Sequence, residues 1–118
     1  MANVYKNIQA TITSSASYDD MYTSPNATTS IIKSIKLYNT HGSNLVVDVT
    51  VYDASSTTDF EWETVTVDTG TSEDLLTSNN ILILEAGDIL KMQTPTGNKI
   101  EMTASVLQIT RPSEVTTT

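Results

Sequence analysis

The sequence has no cysteine, a single histidine, one tryptophan and one phenylalanine. Without cysteine it can form neither a disulfide framework nor a thiolate metal centre. With one histidine, His41, it cannot build a multi-histidine metal site. Basic residues are also scarce: six Lys and Arg stand against fourteen Asp and Glu, for a net charge of −8. Such a surface repels phosphate backbones and anionic lipid, so neither nucleic acid nor membrane is expected as a partner. The longest apolar run, Ile81 to Leu84, is far too short to span a bilayer. Met1 to Lys6 lacks a basic stretch leading into an apolar core, so no secretory signal is expected and synthesis is placed in the cytoplasm. No helical period lasts beyond one turn.

What the sequence does contain is alternation. From Leu45 to Tyr52, Leu45, Val47, Val49 and Val51 fall on one face while Val46, Asp48, Thr50 and Tyr52 fall on the other. Side chains on a strand point to opposite faces with period two, so this is a half-buried strand. A second β-branched run, Ser30 to Thr40, precedes it across His41-Gly42-Ser43-Asn44, and the pair reads as a hairpin. Further strands are expected over Val4–Thr13, Phe60–Val67, Ile81–Leu84, Ile89–Thr94 and Lys99–Thr110, with a short one around Tyr18 to Thr23. Pro95 to Asn98 reads as a hairpin loop, and Glu85-Ala86-Gly87-Asp88 as a tight turn with a positive φ at Gly87. Ser72 to Leu76 is given at most one helical turn. In the last strand Leu107 and Ile109 fall opposite Ile100, Met102, Ala104 and Val106, which predicts a realigning bulge near Val106-Leu107.

Seven or eight short strands at this spacing predict an all-β, antiparallel, jelly-roll-like sandwich. The 118 residues form one domain, with an N-terminal strand or arm and a short tail over 111–118. Hydrophobic residues make up 38 %, enough for a thin core if nearly all face inward.

Few residues suggest chemistry. His41 lies in a turn and lacks a nucleophile-elbow serine beside it. The carboxylate pairs Asp19-Asp20, Glu61/Glu63 and Glu73-Asp74 read as solvated faces; Asp19, Asp20, Asp68 and Asp88 are the residues that could bind Ca²⁺ through loop oxygens, though no run has the spacing of an EF-hand loop. No catalytic, cofactor or metal residue is therefore assigned, and an enzyme is not expected. Trp62 with Tyr52 forms an alternative glycan platform, against the reading of Trp62 and Phe60 as core. Tyr5, Tyr18, Tyr22, Arg111 and Pro112 are the candidate protein-contact residues, because aromatic residues and arginine are enriched at interfaces.

The segments Ile32 to Thr40, Val47 to Tyr52, Leu82 to Met92 and Ile100 to Ile109 together resemble small structural proteins of tailed bacteriophage virions. The resemblance spans about Ile31 to Ile109 and is one of strands and turns, so no binding residue carries over from it. It implies a non-enzymatic virion component without cofactors, decorating and cementing the capsid shell. Its partners would be the major capsid protein or other virion proteins. A homo-oligomer is expected, with a trimer matching the three-fold positions of a shell. A neck, tail or fibre subunit, or a carbohydrate-binding module, is the alternative.

Overall fold

The computed structural model describes residues 2–13, 17–77 and 80–111. Nine strands follow in chain order: β1 (Ala2–Thr11), β2 (Asp19–Thr23), β3 (Thr28–Asn39), β4 (Leu45–Asp53), β5 (Thr58–Val67), β6 (Ser72–Asp74), β7 (Leu82–Leu84), β8 (Ile89–Gln93) and β9 (Ile100–Thr110). Every pairing is antiparallel. Sheet A has the order β1-β9-β3-β6, with β7 also against β3, and sheet B has the order β2-β8-β4-β5. The chain changes sheet at each connection except β4–β5 and β6–β7, which makes this a jelly-roll sandwich.

The core follows from the alternation. Ile32, Ile35, Leu37, Leu84, Ile100, Met102, Ala104 and Val106 of sheet A face Met21, Leu45, Val47, Val49, Val67, Leu90 and Met92 of sheet B, all buried. Burying each large aliphatic side chain contributes about 1.5–3 kcal/mol, which is how a chain with few aromatics holds two sheets together. Phe60 is no part of this core: it is 54 % exposed, while Trp62 is half-buried and packs against it. Phe60 lies opposite Val51 near the start of β5, the edge strand of sheet B, and its ring is left exposed there. β5 also bulges at Trp62, where Glu61 and Glu63 pair with the adjacent residues Thr50 and Val49.

Four expectations from the sequence are corrected. β3 and β4 do not form a hairpin, since β3 belongs to sheet A and β4 to sheet B. The turn between them crosses the sandwich, as does Pro95–Asn98 between β8 and β9. Alternation fixes which face is buried but not which strand is the neighbour, so the two arrangements look alike in sequence. Residues 72–74 are a strand, pairing Ser72, Glu73 and Asp74 with Tyr38, Leu37 and Lys36. Finally, β9 alternates without a break; the bulge is at Lys33 in β3, opposite the Ser105–Val106 step. Ile32 and Ile35 are three apart, and only an extra residue between them lets both face inward. Leu107 and Ile109 therefore remain on the outer face.

The turn over 85–88 behaves as expected. Gly87 has φ 86°, and a β-carbon placed there would lie 3.0 Å from Ala54 Cβ. Gly87→Ala meets both a left-handed backbone and a crowded neighbour, and is expected to cost about 2–3 kcal/mol in chemical denaturation.

Candidate functional site

Among the described residues, the histidine and the carboxylates are held in separate turns and on separate faces. The His41 N–H donates to Asn39 Oδ1 at 2.7 Å, and its carbonyl accepts the Thr69 hydroxyl. Among the described residues no three of His, Cys, Asp and Glu come close enough to hold a metal ion. Asp19 accepts from the Thr13 hydroxyl at 2.9 Å, and buried Asp88 accepts from the backbone N–H groups of Ala54 and Glu85 at 3.0 and 2.9 Å. Asp53 is half-buried, and the Ser55 and Ser56 hydroxyls donating to it hold its carboxyl below the usual carboxylate range. That favours the charged form, which suits a turn staple. A shallow depression on sheet B, lined by Val46, Asp48, Gln93, Thr94 and Pro95, brings together a single carboxylate.

Trp62 and Tyr52 are not brought together. Trp62 packs against the interior, whereas Tyr52 follows the core-packed Val51 and so points outward from sheet B. There Lys91 Nζ lies 5.2 Å from the Tyr52 ring centroid and 3.4 Å from Asp59 Oδ1. Trp62→Ala is thus expected to lower stability by about 2 kcal/mol, visible as a shifted denaturant midpoint.

The five candidate contact residues are dispersed. Tyr22 is half-buried and structural: its hydroxyl accepts from Gln108 Nε2 at 2.7 Å and lies 2.7 Å from Ser30 Oγ, which is 2.8 Å from Ser24 Oγ. This polar chain fills one end of the sandwich, where Ser24, Thr28, Ser30 and Gln108 take core positions. Tyr18 is half-buried, and Pro112 lies outside the described residues. Tyr5 is 73 % exposed, and Arg111 is exposed with its N–H donating to Ala27 O at 2.9 Å.

Among the described residues two open surfaces remain. The first is β1, whose ten residues pair with β9 along one side; the other side is an edge of sheet A. Asn3 to Asn7 are exposed on both faces, because sheet B does not cover this corner. The second is the outer face of sheet A. Ile83 is opposite Ile31, Ile31 opposite Leu107, and Leu107 opposite Tyr5, so one apolar row crosses four strands. Ile109, between Thr29 and Asn3, extends it. Sequence reasoning found Tyr5 alone; the odd-numbered apolar positions 83, 107 and 109 were the available signal, but their lateral alignment depends on register.

The fold thus defines a jelly-roll module offering strand edges and a sheet face. No protein-family model matches the sequence, and no curated protein matches it. Among solved structures the fold is similar to a chain from Bacillus endospore appendages, described as a novel family of disulfide-linked pili. The TM-score is 0.57 at 15 % identity, covering 93 % of this chain and 89 % of that one.

Proposed function

We propose that this chain is a non-enzymatic structural subunit that works by packing against copies of itself and neighbouring proteins in an ordered particle. The observation that carries the reading is β1: ten residues long, open along one edge among the described residues, and exposed on both faces over Asn3 to Asn7. A strand edge of unpaired N–H and C=O groups is a template for protein contact, and soluble proteins usually blunt or cover it. The likeness to a pilus protein supports the same reading at the level of fold. That protein's pili are disulfide-linked, whereas the present sequence has no cysteine, so no disulfide joins these residues to a neighbour.

Within this role the sequence resemblance favours a bacteriophage virion, with the subunit decorating and stabilising the capsid shell. The similarity to an appendage protein favours the second reading, a tail, neck or fibre position. Purified particles containing the chain, imaged by cryo-electron microscopy and quantified by mass spectrometry, test both. Copy number matching the shell lattice supports decoration. A few copies confined to a tail or fibre support the alternative, and a chain absent from every particle rejects the assembly role.

A further inference from the structure

We propose that the outer face of sheet A is where two copies of this chain pack, the same face against the same face, with the row Ile83, Ile31, Leu107 and Tyr5 at its centre. The inference rests on the assembly role proposed above and names the surface that serves it. Tyr5, Ile81 and Ile83 are among the large apolar side chains most exposed in the molecule, at 73, 49 and 53 %. Tyr5 and Ile83 close the two ends of one cross-strand row, and Ile81 precedes β7 with the same parity as Ile83. Scattered exposed apolar residues need no explanation, but a contiguous row across a sheet marks a contact surface.

Charge identifies the occupant. On this face Lys33, Lys36 and Arg111 are offset by Asp74 and Glu101, so it is close to neutral on a chain of net charge −8. The outer face of sheet B instead carries Asp20, Asp48, Asp59 and Glu61 against Lys91 alone. Docking that face onto the apolar row would bury carboxylates opposite Ile31 and Leu107, which is costly without partners. A second sheet A face brings apolar surface to apolar surface and little charge, and a two-fold arrangement lets one patch serve both copies. Strand spacing and rise give such a face about 500 Å² per copy, about 1,000 Å² in total, the lower end for specific interfaces. The pair is therefore weak alone and is reinforced by the other contacts of an assembly.

Sedimentation velocity of the full chain over a range of concentrations tests this. The wild type is expected to form dimers, Ile83→Glu and Tyr5→Glu to weaken them about tenfold or more, and Val46→Glu on sheet B to leave them unchanged. Both central substitutions fall at exposed positions, and circular dichroism checks that each variant keeps its fold. In the cysteine-free background, Leu107→Cys with a short bismaleimide should yield cross-linked dimers, whereas Val46→Cys should not. A wild type that stays monomeric at every concentration overturns the proposal. Association weakened equally by Val46→Glu, or cross-linking through Val46→Cys instead of Leu107→Cys, overturns the surface while leaving the assembly role intact. Failure of that role shows separately, in the absence of the chain from particles.

Discussion

Replacing Asn39 by alanine is expected to destabilise the protein by about 4 kcal/mol, a fall in Tm of about 15 °C. Asn39 is fully buried at the end of β3, where the chain leaves sheet A for sheet B. Its Nδ2 donates to the carbonyls of Ser43 at 3.0 Å and Val67 at 2.8 Å, and its Oδ1 accepts the His41 N–H at 2.7 Å. Its own N–H donates to Thr71 O and its carbonyl accepts from Gly70, both at 3.0 Å. One side chain thus ties the β3–β4 turn to the end of β5. Alanine removes three hydrogen bonds and leaves their backbone partners short of water, and each such group costs about 1–3 kcal/mol. Asn39→Asp separates geometry from chemistry. It keeps the shape but sets carboxylate oxygens against two carbonyls, so it should be at least as destabilising at neutral pH. The introduced acid is favoured in its neutral form when folded, which raises its pKa above the unfolded value. The variant should therefore recover stability as the pH falls, and thermal melts across pH would show it.

The second large effect is expected at Asp88, where alanine should cost about 3 kcal/mol. The carboxylate ties the turn over 85–88 to the β4–β5 turn through Glu85 N–H and Ala54 N–H. Around it, Ser24 N–H donates to Asp88 O and Gly87 N–H to Ser24 O, both at 2.9 Å, so a third segment joins the same knot. Asp88→Asn retains one acceptor but turns an NH₂ group toward a backbone donor, and should lose about half as much. Urea titration of the two variants measures the difference; equal losses would show that packing, not the carboxylate, holds this corner.

Asp88 and Asn39 also show how far the sequence can be read. The turn at Glu85–Asp88 was legible, positive φ included, because glycine and aspartate have local reasons to sit there. The alternation from Leu45 to Val51 placed Leu45, Val47 and Val49 in the core correctly, since period two needs no knowledge of neighbours. Asn39 read only as the end of a strand entering a hairpin turn, because its two long-range partners, Val67 and the ladder to Thr71, lie about thirty residues away. The Lys33 and Trp62 bulges were missed or misplaced for the same reason: a bulge is a property of two strands together. The candidate surfaces divided likewise. Tyr5 could be singled out as a bulky ring on a polar strand, but the row joining it to Leu107, Ile31 and Ile83 depends on three strand registers.

The pairing of β1 with β9 has a bearing on biosynthesis. β1, Ala2–Thr11, finds its partner only when Ile100–Thr110 has been translated. Until then Ile8, Ala10 and Ile12 lack the sheet that shelters them. Closure across so many intervening residues is slow relative to local pairing, so the chain completes its β1 edge last. Monomers would then present that edge to one another only after the rest of the domain has been made, a timing that disfavours premature tangling on crowded polysomes.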